Sequence, residues 1–334
     1  MHDSLLAPAL ELYGITSPPE RLTGGFTSGV YEYRSDGRPY VLRILPPDDP
    51  ETGITAMQAT LSWIDFLAAR GVPVVRPVRS ARGRLIETVE CGGQTAVAVA
   101  FEKVEGIRAE EVPFDKWNEA LYRELGRVAG RLHAASRQYA PPDSPRRPHW
   151  NEAENYYHET ARADPALAPV EGRRQEALRH IATLPVDPGG YGLIHGDFHC
   201  ANLMINPASG AITVLDFDDC VYGWFAMDIA MSLFDMLVLC PAPEREAFAP
   251  RFLECYLQGY LAENPLDGRW IRELPWFLKV LEAGIYIEVH GYYDPQDTAS
   301  WSGKFLAGRR ERIDSDVPYT SLDFAKVAAA MGSV

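Results

Sequence analysis

The chain has 334 residues, 46% of them hydrophobic and 23% charged, and a formal net charge of −14. That length can bury a sizeable core in one large or two medium domains, and the acid excess argues against nucleic acid as a partner. No N-terminal stretch has the layout of a signal peptide, and the longest apolar run, around Ile229 to Cys240, is too short for a membrane span and contains Asp235. The cysteines Cys91, Cys200, Cys220, Cys240 and Cys255 are odd in number and lack C-x-x-C spacing. This argues against a disulfide framework or a structural zinc site and for a reducing cytoplasm. Residues 1–103 hold 12 acids and 10 bases, whereas residues 104–334 hold 34 and 22, so the second part carries −12 of the charge.

Residues 1–104 read as strand-rich. Leu22 to Tyr33 has the pattern of strand, glycine loop and strand, and Arg38 to Leu45 forms a third strand. A helix is expected from about Ile54 to Arg70, with Met57, Leu61, Ile64 and Ala68 at helical spacing, ended by Gly71-Val-Pro-Val. Two more strands follow, at Arg84–Val89 and Thr95–Val104. Glu105-Gly106 reads as a joint, and residues 105–334 are mainly helical. Helices are expected at Trp117–Ser136, Glu152–Arg162, Glu171–Leu184, Ala226–Cys240, Glu244–Leu261, Trp276–Val289 and Phe324–Met331.

The most informative stretch is Leu193 to Asn202, sequence L-I-H-G-D-F-H-C-A-N, with Asp216-Phe-Asp-Asp219 fourteen residues further on. Asp197 and Asn202 are five apart, the spacing of Asp and Asn in a kinase catalytic loop. Leu203–Asn206 reads as a short strand, Pro207–Gly210 as a turn and Ala211–Leu215 as the returning strand. Such a hairpin brings Asn202 and Asp216 to one end, beside Asp197. Phosphoryl transfer needs that set: a carboxylate to hold the acceptor hydroxyl, and an amide and a second carboxylate to hold Mg²⁺.

With His195–Asn202 as H-G-D-x-H-x-x-N, Asp216–Asp219 as D-F-D-D and Tyr222-Gly-Trp224, the chain resembles the aminoglycoside phosphotransferase and choline kinase superfamily. The resemblance runs from about Leu22 to Leu233. It implies an α+β, bilobal, protein-kinase-like fold: a small strand-rich N-lobe (1–104) that binds ATP or GTP and a larger helical C-lobe (105–334) that holds the acceptor. It implies Asp197 as the catalytic base or orienting group, Asn202 and Asp216 as Mg²⁺ ligands, His195 as a brace of the loop, and Asp228 as a buried acid that accepts loop N–H groups. His199 is left between phosphate or substrate contact and plain packing. Gly25, Thr27 and Ser28 fall in the phosphate loop, and Phe101, Glu102 and Val104 in the segment that holds adenine through its backbone.

The small lobe departs from the family pattern. Its glycine loop is not G-x-G-x-x-G. The strand lysine is replaced by Arg43, which keeps the charge but has a longer, planar fork. Thr60 stands nearest the position of the helix glutamate that would pair that cation, and no acid lies between Glu51 and Asp65.

The expected activity is ATP-dependent transfer of the γ-phosphoryl group to a hydroxyl of a small molecule. A serine/threonine protein kinase is a rival reading, but the chain passes from Asp216 straight to Tyr222-Gly-Trp224 and a helix rather than to an activation loop. A nucleotide-binding pseudokinase module is a third, favoured by the missing glutamate and opposed by the intact Asp197, Asn202 and Asp216. The acid excess, with Asp218, Asp219, Glu282 and Glu288 as candidate pocket acids, points to an amine-bearing acceptor such as an amino sugar, amino alcohol or aminoglycoside. Trp150, Tyr156, Tyr157, Trp276, Tyr286 and Tyr292 are candidate aromatic lining. No feature specifies an oligomeric state.

Overall fold

The computed structural model describes residues 3–22, 29–45, 50–91, 93–141, 146–152, 156–292 and 300–331. Contacts divide the chain into two compact units. The first comprises Met1–Ile107, Gln138–Arg147 and Leu203–Cys220; the second comprises Arg108–Arg137, Pro148–Asn202 and Val221–Val334.

The first unit opens with helix α1 (Asp3–Leu12) and strands β1 (Glu20–Arg21), β2 (Gly29–Ser35) and β3 (Arg38–Leu45). Helix α2 (Pro50–Ala69), β4 (Pro77–Val78), β5 (Ile86–Cys91) and β6 (Gln94–Glu102) follow. The strands form one antiparallel sheet, ordered β1-β2-β3-β6-β4, with β5 also paired to β6. Alternation along the strands decides which side chains meet. Leu42 and Ile44 join Tyr31, Tyr33, Val89, Ala96, Ala98 and Ala100 in one core, closed by Leu5 and Ala9 of α1. Arg43, between Leu42 and Ile44 and opposite Val30 and Val99, therefore points to the other face. Helix α1 forms although Pro8 lies inside it and removes one helical hydrogen bond. Burial of its apolar face outweighs that lost bond: Leu5 is 1% exposed, and a fully buried leucine contributes roughly 1.5–3 kcal/mol.

The antiparallel hairpin of Leu203–Ile205 and Ile212–Val214 pairs Leu203 with Val214. Asn202 thus precedes it, and Asp216 follows it, at the same end. The hairpin belongs with the N-terminal residues because Val214 bonds both ways to the turn after α2: Val75 N donates to Val214 O at 2.9 Å, and Val214 N to Pro73 O at 2.9 Å.

The second unit is helical: α3 (Glu119–Ser136), α4 (Tyr156–Ala163), α5 (Ala168–Ile181), α6 (Phe225–Leu239), α7 (Arg245–Glu263), α8 (Gly268–Arg272), α9 (Leu274–Tyr292), α10 (Trp301–Leu306), α11 (Arg309–Asp314) and α12 (Phe324–Met331). Asn118 caps α3 by accepting from Ala120 N and Leu121 N. Helices α3 and α7 touch backbone to backbone. A Cβ on Gly126 would lie 1.9 Å from Tyr256 O, and one on Gly259 1.9 Å from Arg123 O, so only glycine fits either place. The short strands Tyr191–Ile194 and Val221–Trp224 pair antiparallel, so the Tyr222-Gly-Trp224 motif lies in a strand rather than in a connecting turn. The tripeptide Ala242-Pro-Glu244 is a 3₁₀ turn after the buried helix α6, so it does not close an activation loop. No helix among the described residues is long and apolar enough to cross a membrane.

Candidate active site

Strand Tyr191–Ile194 delivers the chain to His195, and Gly196 turns it with a φ of 83°, a backbone that glycine adopts without cost. Asp197 follows, and a 3₁₀ turn over Cys200–Asn202 closes the loop. Within it, Asn202 Nδ2 donates to Asp197 Oδ2 at 2.8 Å and to Asp197 O at 3.0 Å. His199 Nε2 lies 3.0 Å from the same Oδ2. Asp197 N donates to His195 Nδ1 at 3.2 Å, so the fully buried His195 ring braces the backbone of the loop.

Burial opposes ionisation of Asp197, yet the bond and charge of His199, the charge of His195 and the bond from Asn202 together hold it below the ordinary carboxylate range. Burial likewise pulls His199 down, but the bond and charge of Asp197, with the charges of Asp235 and Glu110, push it up to about 9. Ala201 N points at His199 Nδ1 from 3.2 Å, which favours the tautomer with its proton on Nε2. In either charge state Nε2–H is the donor to Asp197.

Helix α6 carries the loop. Asp228 is fully buried and accepts from His195 N at 2.9 Å and from Gly196 N at 3.0 Å. Seven residues on, Asp235 accepts from Cys200 N at 2.8 Å, and between them Ser232 Oγ lies 3.4 Å from Phe198 O. The Asp228 carboxylate also takes the Nε2–H of buried His133 at 3.0 Å. Burial holds the His133 pKa below its ordinary value against the pull of Asp228. Neutral His133 then accepts from Tyr260 Oη at 2.8 Å, and Tyr260 Oη accepts from Asn264 Nδ2 at 2.8 Å. Sequence reading found Asp228 but missed Asp235 and His133. The signal for Asp235 was present: 228, 232 and 235 form a polar stripe on one face of an otherwise apolar helix.

In the first unit, Arg43 Nη2 donates to Asp218 Oδ2 at 2.7 Å, with Nη1 3.5 Å from Asp218 Oδ1 and 3.5 Å from Asp216 Oδ1. Asp216 has a φ of 51°, a left-handed backbone rare outside glycine. Its carboxylate is 49% exposed and oxygen-donating, as Mg²⁺ requires, and Mg²⁺ is usually held by one or two protein groups together with substrate phosphates. The amide oxygen of Asn202 is equally suited, since its nitrogen is the atom used by Asp197. No cluster of three or more His, Cys, Asp or Glu among the described residues is arranged to hold a metal by itself.

Gly25, Thr27 and Ser28 lie outside the described residues. Phe101 is buried, Glu102 N donates to Arg76 O at 2.9 Å, and Val104 lies just beyond β6. Of the candidate acceptor acids, Asp218 is the partner of Arg43, Asp219 is exposed and Glu288 is half-buried on α9. Glu282 is 4% exposed and bonded to Arg309 at 3.1 Å, with Arg312 at 3.8 Å, so its charge is matched inside the fold. Among the candidate aromatics, Trp276 stacks on His180, Trp150 lies against Trp224 and Tyr286 is buried. The side chains of Tyr156, Tyr157 and Tyr292 lie outside the described set.

A sequence model of the phosphotransferase enzyme family matches residues 19–272, and the chain belongs to that family. It is 30% identical over 327 residues to the amicoumacin kinase of Bacillus subtilis (strain 168), covering 97% of this chain and 95% of that one. It is 23% identical over 260 residues to the hydroxylysine kinase of Danio rerio, covering 72% of each. Among solved structures, an amicoumacin kinase in complex with AMP-PNP, Ca²⁺ and Ami superposes with a TM-score of 0.85 at 30% identity, over 96% of both chains. A microcompartment-associated aminopropanol kinase shares the fold, with a TM-score of 0.73 at 22% identity over 94% of this chain and 98% of that one. The fold is the α+β kinase-like fold of this family, and the chain is an ATP-dependent small-molecule kinase that acts on a hydroxyl. The protein-kinase and pseudokinase readings find no support among these relatives.

Proposed function

We propose that this kinase transfers the γ-phosphoryl group of ATP to a hydroxyl of a polar, amine-bearing small molecule, with Asp197 orienting the acceptor and Mg²⁺ as the metal. The observation that carries the reading is the convergence of Asn202 and His199 on one oxygen of Asp197. Both bonds fall on Oδ2, which leaves Oδ1 to accept from an incoming hydroxyl. The two donors also keep the carboxylate ionised and fixed in rotamer. Catalysis then comes from positioning an already charged group, worth far more than its basicity alone.

Asn202 and Asp216 would hold the metal, which supplies charge neutralisation at the phosphates when bound. Arg43 would grip phosphate with its fork. The sequence supports further nucleotide contacts from Gly25, Thr27, Ser28 and the backbone of Phe101–Val104. The five unpaired cysteines support a cytoplasmic setting.

The amine is supported by the −12 balance of residues 104–334, which raises local cation concentration, and by kinship with a hydroxylysine kinase, whose named substrate carries both groups. The experiment is ATP consumption across a panel of hydroxylated metabolites, followed by the ionic-strength dependence of kcat/KM. A cationic acceptor should lose kcat/KM as salt rises, since charges are screened over about 8–10 Å at physiological ionic strength. Turnover confined to neutral or anionic hydroxyl compounds would refute the amine.

A further inference from the structure

The metal-loop segment 216–220 is held by two arginines, and only one of them is explained by nucleotide binding. Arg43 reaches its side chains. Arg147 reaches its backbone: Nε donates to Cys220 O at 2.6 Å and Nη2 to Asp218 O at 2.6 Å. The third arm, Nη1, lies 3.3 Å from Thr60 Oγ1 on α2. Thr60 is 2% exposed, donates to Ala56 O at 3.0 Å, and is the residue that the family resemblance sets nearest the position of the helix glutamate. Tyr139 meets the same helix: its Oη donates to Ser62 Oγ at 3.1 Å and its ring lies edge-on to Phe66. Trp63 of α2 packs edge-on against Phe217 of the segment, and both are buried.

A kinase links its strand cation to its helix by one ion pair. This chain lacks the glutamate. We propose that Arg147 is a positioning residue that replaces it: the link runs from Thr60 through Arg147 to the Asp218 backbone, and from the Asp218 carboxylate to Arg43. The link fixes where Asp218 presents its carboxylate, and so where Arg43 rests. It also holds the carbonyls of Asp218 and Cys220, two and four residues after Asp216, which keeps Asp216 in its left-handed backbone with its carboxylate toward solvent. An arginine suits the task because its planar fork serves three acceptors at once, which a lysine ammonium on a flexible stem does not.

The proposal rests on the reading of Arg43 and Asp216 as nucleotide and metal groups, so the test carries a control for it. Binding of AMP-PNP to the full-length protein is measured with and without Mg²⁺ for the wild type and for Arg147→Ala, Arg147→Lys, Thr60→Val and Asp216→Ala, with Tm recorded for each. Arg147→Ala should weaken Mg²⁺-dependent binding by about tenfold or more, the scale of losing charged hydrogen bonds. Metal-free binding should change less. Arg147→Lys should recover part of the loss, and Thr60→Val should cost about two- to threefold with Tm unchanged. A fold that fails in Arg147→Ala leaves the decision to Arg147→Lys and Thr60→Val. Wild-type Mg²⁺ dependence in those two variants, while Asp216→Ala loses it, would overturn the Arg147 role alone. Wild-type binding in Asp216→Ala as well would overturn the metal reading beneath it.

Discussion

Asp197 and Asn202 are joined twice: the Asn202 amide nitrogen donates to the Asp197 carboxylate at 2.8 Å and to its carbonyl at 3.0 Å. One side chain thus sets both the rotamer of the carboxylate and the backbone that carries it. Because the amide nitrogen is spent on Asp197, the amide oxygen is the free face of Asn202. The five-residue spacing seen in the sequence is the closure of this loop.

Asp228 should be the stability anchor of the loop. Asp228→Ala leaves the N–H groups of His195 and Gly196 and the His133 imidazole without their acceptor in a fully buried place. Such losses cost about 3–5 kcal/mol. Urea denaturation should register that loss, and a change below about 1 kcal/mol would show that the loop does not depend on the helix.

The His199–Asp197 pair predicts a pH dependence with a definite sign. A histidine raised in the folded state to about 9 from 6.5 adds stability that is full below 6.5 and lost as pH rises through about 9. The pair is partly exposed, so the effect is on the order of 1 kcal/mol. His199→Gln should flatten the stability profile between pH 6.5 and 9. An unchanged slope would assign the titration elsewhere.

Arg43→Ala should weaken nucleotide binding by roughly tenfold, the cost of a charged hydrogen-bonding group. Arg43→Lys should restore only part of it, because a point charge cannot bridge two acceptors as the fork does with Asp216 and Asp218. Nucleotide titration settles this, and wild-type affinity in Arg43→Ala would remove Arg43 from the site.

Asp216→Ala should abolish the dependence of nucleotide binding on Mg²⁺. It should also cost on the order of 1 kcal/mol in stability, since alanine tolerates the φ of 51° less well than aspartate. Paired binding and melting measurements separate the two effects. Retained Mg²⁺ dependence would contradict the ligand role.

What was legible in the sequence was local. The Asp197–Asn202 loop, the hairpin after it, strand β3 at Arg38–Leu45 and helix α12 at Phe324–Met331 all carry their signal within about ten residues. What escaped was set by distant partners. Helix α1 forms over an internal proline because it covers the sheet. The pairing of Glu282 with Arg309, 27 residues away, gives no local sign in the sequence. Arg147 sits in a proline-broken stretch, and its importance lies in carbonyls more than 70 residues onward.

The central claim is that Asp197 positions the acceptor hydroxyl. Once the panel has identified an acceptor, Asp197→Asn tests it directly, because the amide keeps the shape and loses the charge. A fall in kcat of about 10²–10⁴ is expected, the range for a positioned acid or base, with AMP-PNP affinity nearly unchanged. Turnover within a few-fold of wild type would contradict it.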